Sequence, residues 1–98
     1  MYIRIMSYKF PSQTKAELFL SLIKSKMVPE YRKRSNCLSV EFLEIGEGKL
    51  LSIARFLNKS DYDNTSQWAV PIFKKYVVEL EGVIEQLPGE LILSYKKE

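Results

Sequence analysis

Leu38–Leu57 reads LSVEFLEIGEGKLLSIARFL, and the fold turns on this stretch. Leu38, Val40 and Phe42 alternate with Ser39, Glu41, Leu43 and Ile45 over Leu38 to Ile45, the period of two that marks a strand. Gly46-Glu47-Gly48 supplies the permissive backbone of a short connection, and Leu50 to Leu57 returns antiparallel as the other arm of a hairpin. Neither face of these two strands is polar, so a sheet built on them has apolar side chains on both sides.

Upstream, Tyr2, Arg4, Met6, Tyr8 and Phe10 alternate with Ile3, Ile5, Ser7 and Lys9 as a first strand, which Pro11 and Ser12 stop. Thr14 with Glu17 three residues on forms a potential capping box, with Ser12 as the alternative cap. Ala16, Phe19, Leu20, Ile23, Met27 and Tyr31 then recur at helical spacing. Pro29 inside that pattern predicts a kink or one-turn break near Lys26, and Arg34-Ser35-Asn36 closes the helix. Downstream, Asn58 to Gln67 is polar, with Ser60 as cap for one short helical turn. A helix is expected from Pro71, carrying Ile72, Phe73, Tyr76, Val77, Leu80, Val83, Ile84 and Leu87 on one stripe until Pro88-Gly89 ends it. Glu90 to Tyr95 reads as the last strand, and Lys96-Lys97-Glu98 as a solvated tail.

The order βαββαβ is a ferredoxin-like α+β arrangement, one domain over residues 1–98. Right-handed crossovers place both helices on one face of a four-stranded antiparallel sheet and leave the other bare. If Ile3, Ile5, Val40, Phe42, Leu51 and Ile53 face the helices, the bare side shows Met6, Tyr8, Leu43, Ile45, Leu50, Ala54 and Phe56. Such a patch exceeds what monomers ordinarily expose, so two sheets are expected to face each other in a homodimer with a barrel-like core. Tyr2, Arg4, Ser39, Glu41 and Ser52 are the polar groups on that side. They pair with one another or line a cavity.

Composition narrows the chemistry. The chain has 98 residues, 46% hydrophobic and 28% charged, in the range of an ordinary globular domain. Its apolar stretches fall short of a bilayer span and its N-terminus lacks the features of a secretory signal, so no membrane contact and a cytoplasmic location are expected. Cys37 is the single cysteine, read as a small buried residue at a strand start, and it excludes an internal disulfide or a multi-cysteine metal site. Histidine is absent from the sequence, which removes the commonest general base and metal ligand. The net charge of +3 compels no polyanionic partner. The basic run Arg32-Lys33-Arg34 with Lys24 and Lys26 reads as a solvated face, and no nucleic-acid partner is expected. Gly46 and Gly48 sit in a hairpin and precede no helix, so they form no phosphate-binding loop.

Two readings are open for Arg4 with Glu41: a guanidinium holding an anionic or enolate oxygen while the carboxylate removes a proton, or a structural ion pair at the dimer interface. Trp68 and Phe73 form either an aromatic lid over a planar ligand or ordinary core. Tyr8 and Tyr76 either donate to a ligand or bury their rings with the hydroxyl at the surface.

Several segments together resemble the antibiotic-biosynthesis-monooxygenase-like domain of the dimeric α+β barrel superfamily. They are Ile3-Arg4-Ile5, Met27-Val28-Pro29-Glu30-Tyr31-Arg32, Asn36-Cys37-Leu38, Ala54-Arg55-Phe56, Trp68 with Pro71, and Pro88-Gly89-Glu90-Leu91. The resemblance implies a homodimer with a pocket between sheet and helices or within the barrel. It also implies a cofactor-independent, metal-free monooxygenase-like activity on an aromatic or quinol-like substrate. Haem degraders of that family use a histidine ligand, and here its neighbourhood holds Gln67, Ile72 and Phe73. The candidate site is therefore Arg4, Glu41 and Trp68 as catalytic residues, with Met6, Tyr8, Ser52, Phe56, Gln67 and Phe73 lining a small-ligand pocket. The alternative is a non-catalytic dimeric module for ligand binding or assembly.

Overall fold

A computed structural model describes residues 1–34 and 36–97, so the expected helix stop at Ser35 and the tail residue Glu98 lie outside the described residues. The elements are β1 (Tyr2–Lys9), α1 (Gln13–Leu22), a π-helical turn (Ile23–Met27), α2 (Val28–Arg34), β2 (Cys37–Gly46), β3 (Lys49–Phe56), α3 (Lys59–Glu79) and β4 (Val83–Glu90). The strands form one antiparallel sheet in the order β2-β3-β1-β4, the ferredoxin-like topology.

Ser12, not the Thr14 box, caps α1 by accepting from the Lys15 amide at 3.2 Å. The break expected near Lys26 is the π turn, which runs directly into α2; Pro29 follows it by two positions, so the proline lies where the helical hydrogen-bond ladder is already shifted. Gly48 closes the hairpin at φ +69, and a Cβ there would lie 2.8 Å from the Phe10 carbonyl.

The second half departs from the sequence reading. One helix, capped by the Asn58 side chain, runs from Lys59 through Pro71 to Glu79. It buries Tyr62, Thr65, Ala69, Val70, Phe73 and Val77, so the polar segment is helical from Lys59 through Gln67 and not a single turn. The helix stops on a Schellman motif. Glu81 takes φ 59, its amide donates to Val78 O at 3.0 Å, and the Gly82 amide donates to Val77 O at 2.8 Å. The left-handed position is held by a non-glycine, so the sequence carries no obvious stop there. Val83, Ile84 and Leu87 therefore belong to β4, which ends at Glu90, and residues 91–95 of the strand expected over Glu90 to Tyr95 have no regular structure. Pro88 is tolerated because β4 is an edge strand paired only with β1.

Sheet register corrects the assignment of faces. Arg4, Met6 and Tyr8 of β1, Phe10 just after it, and Leu50, Ser52, Ala54 and Phe56 of β3 are buried under the helices. Val40 and Phe42 share that side, since Val40 aligns with Ala54 and Phe42 with Ser52. Ile3, Ile5, Leu51 and Ile53 lie on the open face, contrary to expectation, with Leu43, Val83 and Leu87 beside them. The main core under the helices joins Met6, Tyr8, Phe10, Phe19, Ile23, Met27, Leu50, Phe73 and Val77. A second cluster joins Ala54, Phe56 and Tyr62.

Candidate functional site

Arg4 lies between these two clusters. Its side chain is 0% exposed, with the guanidinium carbon 5.9 Å from the Phe56 ring centre and 5.6 Å from that of Phe73. The two aromatic faces supply cation–π attraction, which is strongest where water is excluded. Nη2 donates to the Tyr31 hydroxyl at 3.2 Å, Nη1 donates to Ser66 Oγ at 3.5 Å, and Nε is buried without a partner. Both bonds are long beside the ~2.7–2.9 Å of a charge-assisted pair. Among the described residues no carboxylate lies within ion-pair distance of the guanidinium.

A guanidinium cannot shed its proton, so burial here carries a desolvation penalty that two neutral hydroxyls offset only in part. The same neighbourhood contains Tyr8, whose hydroxyl shares a 2.8 Å hydrogen bond with Ser52 and reaches Met6 Sδ at 3.6 Å. Burial pushes the Tyr8 hydroxyl well above its ordinary range, against the weaker opposing effects of Ser52 and Arg4. Tyr31 is raised too, chiefly by burial and partly offset by Arg4. Both are therefore neutral near pH 7 and serve as hydrogen-bonding hydroxyls, not as bases.

Each of the two hydroxyl partners of Arg4 walls a surface groove. One of ≈ 310 Å³ between α2 and β2 is lined by Val28, Tyr31, Arg32, Cys37, Leu38, Ser39 and Val40, so the residue holding Arg4 forms part of its wall. Trp68 packs behind Tyr31 with ring centres 5.4 Å apart. The other, of ≈ 450 Å³, runs along α3 past Tyr62, Ser66, Gln67 and Gln86.

Of the residues singled out from sequence, Arg4, Met6, Tyr8, Ser52, Phe56 and Phe73 share the buried helix-side layer, and Trp68 borders it through Tyr31. Gln67 is exposed on α3 in the second groove. Glu41 does not meet Arg4. It lies on the open face, opposite Ile53, and pairs with Arg55, because adjacent strand positions point to opposite sides of a sheet. Cys37 opens β2 half-buried and Tyr76 packs against the core. Arg32 lines the first groove, Lys33 is exposed, and the Arg34 side chain lies outside the described residues. Tyr31 and Ser66, the two partners of Arg4, were not singled out from sequence. Tyr31 occupies a core-facing helical position and Ser66 lay in the polar stretch read as holding one short helical turn.

The chain is matched by no protein-family model and by no curated protein sequence. Its fold, by contrast, recurs in solved structures. A putative antibiotic biosynthesis monooxygenase from Deinococcus radiodurans superposes with a TM-score of 0.80 at 15% identity, over 100% of this chain and 99% of that one. A dimeric ferredoxin-like protein from an uncultured marine organism gives 0.76 at 11%, over 99% and 100%. SnoaB, a cofactor-independent oxygenase from Streptomyces nogalater, gives 0.69 at 9%, over 98% and 97%. The fold is thus the ferredoxin-like α+β fold that these solved structures share, one of them described as dimeric. Among the described residues, no helix is long and apolar enough to cross a membrane.

Proposed function

We propose that this chain is a cofactor-independent, monooxygenase-like enzyme for a small planar aromatic substrate bearing an ionisable oxygen, which Arg4 binds as the anion. The observation that carries this reading is the fully buried guanidinium, held between two aromatic rings and, among the described residues, hydrogen-bonded by neutral hydroxyls alone. An anionic oxygen is the partner such a group lacks, and a positive charge in a dry site lowers the pKa of an acidic phenol or enol. A groove of ≈ 310 Å³ beside Tyr31 suits a ligand of this size.

With no histidine in the sequence and no carboxylate beside Arg4 among the described residues, the enzyme acts by stabilising the substrate anion. For an anthrone-like substrate the electrons come from the substrate itself. A ring CH2 is oxidised to C=O by one O2, one oxygen atom enters the carbonyl, and the other leaves as water with the two hydrogens. Met6, Tyr8, Ser52, Phe56 and Phe73 wall the anion, Trp68 positions Tyr31, and Gln67 borders the second groove. The test is oxygen uptake with a panel of anthrones. One O2 consumed per CH2 oxidised, falling about a hundredfold or more in Arg4→Met, is expected. An unchanged rate in that variant contradicts the reading.

The second reading is a non-catalytic ligand-binding module. It is favoured by the close packing around Arg4, where Arg4, Ser52 and Thr65 are the buried polar side chains among the described residues. Binding of an aromatic anion with no oxygen uptake supports it.

The open face is proposed to be covered by a second copy. Leu87 and Val83 on β4 are 55% and 66% exposed, and Leu43 and Ile45 are exposed on β2 at the opposite edge of the sheet. Leu91 and Ile92, the latter 91% exposed, line a groove with Ile3, Ile5 and Leu87. Stable interfaces bury about 800 Å² per partner, and this apolar face is the surface proposed to supply it.

A further inference from the structure

We infer that Tyr31 is a place-holder: its hydroxyl occupies the position at Arg4 that the ligand's anionic oxygen takes, so that Tyr31 sets which ligands enter. The inference rests on the anion reading of Arg4 and adds a gate to it.

The π turn at Ile23–Met27 absorbs an extra residue in the helix just ahead of α2 and so sets the angular position of the α2 side chains. Tyr31, one turn beyond Met27, consequently points at β1. Its hydroxyl meets Arg4 Nη2 at 3.2 Å, and its ring leans on Trp68 at one side while walling the ≈ 310 Å³ groove at the other. A single side chain thus connects the solvent-facing groove with the buried cation. Any oxygen arriving through this groove must replace the Tyr31 hydroxyl before it reaches the guanidinium.

A neutral hydroxyl on the ligand exchanges one neutral acceptor for another and gains little, whereas an anionic oxygen forms the stronger charge-assisted bond. Tyr31 therefore selects ionised phenols or enols over their neutral forms. Removing its hydroxyl leaves Nη2 without that acceptor in the free protein, which makes the incoming anion comparatively more favourable.

The test uses the full chain and 4-nitrophenolate, followed by the absorbance of the ionised probe, with 4-nitroanisole as the neutral control. Tyr31→Phe is expected to bind 4-nitrophenolate roughly five- to tenfold more tightly than the unmodified chain. It should leave 4-nitroanisole binding unchanged. Arg4→Met is expected to abolish binding of the anion, and Arg4→Lys, which keeps the charge but loses the planar fork, to weaken it. Unchanged or weaker binding in Tyr31→Phe, with the Arg4 dependence intact, overturns the role of Tyr31 alone. Unchanged binding in both Arg4 variants, or no binding to the unmodified chain and Tyr31→Phe alike, overturns the anion reading as well.

Discussion

The Arg4 guanidinium carbon sits 5.6 Å from the centre of the Phe73 ring, so β1 and α3 meet at a charged group inside an apolar layer. Replacing a buried ion pair by well-packed apolar side chains is commonly neutral or stabilising by about 1–4 kcal/mol, and an unpaired buried guanidinium carries the desolvation cost without the pairing gain. Arg4→Met should therefore melt at or above the temperature of the unmodified chain while losing ligand binding. A loss of more than about 3 kcal/mol would mark Arg4 as a structural group instead.

Tyr8 and Ser52 satisfy each other across β1 and β3 at 2.8 Å. Tyr8→Phe leaves the Ser52 hydroxyl buried without its partner and should cost about 1–3 kcal/mol of stability. Adding Ser52→Ala should recover much of that loss. Denaturant melts of the two single variants and the double variant measure the coupling, and strictly additive effects would show that the bond contributes nothing.

The buried tyrosines set an alkaline limit. In the folded chain the Tyr8 and Tyr31 hydroxyls hold their protons to higher pH than an ordinary tyrosine, mainly because of burial. Above about pH 10 the unfolded chain releases these protons while the folded chain retains them, so stability present at lower pH is lost as pH rises. Thermal midpoints should fall above about pH 10, and less steeply in Tyr8→Phe. A midpoint that holds through this range would contradict neutral buried hydroxyls.

Ile5 stands between Ile53 and Leu87 at the middle of the open face. Ile5→Lys puts a charge where a second copy is proposed to pack, and light scattering should show the mass fall from dimer to monomer. An unmodified chain that is already monomeric at micromolar concentration contradicts the proposed pairing.

The hairpin and the π-turn region were legible in the sequence because strand alternation, two turn glycines and Pro29 agree locally. The end of α3 was not. Val83, Ile84 and Leu87 continue a helical spacing, and Glu81 holds a left-handed position where glycine is the usual signal. Sheet facing was ambiguous for a different reason. When both phases of a strand are apolar, alternation cannot say which side meets the helices, and a one-residue error exchanges the faces. Arg4 aligns with Ala54 and Val40, one position from Glu41, and that single step separates the buried cation from the carboxylate assigned to it. Ser66 was lost with the misread helix, and Tyr31 looked like any core-facing aromatic.

The location of the ligand is tested most directly by a crystal structure of the chain with 4-nitrophenolate. The expected result is an anionic oxygen within about 3 Å of an Arg4 nitrogen, with the Tyr31 hydroxyl displaced toward the α2–β2 groove. A probe bound instead on the open face beside Glu41 and Arg55, with Arg4 still held by Tyr31 and Ser66, would contradict it.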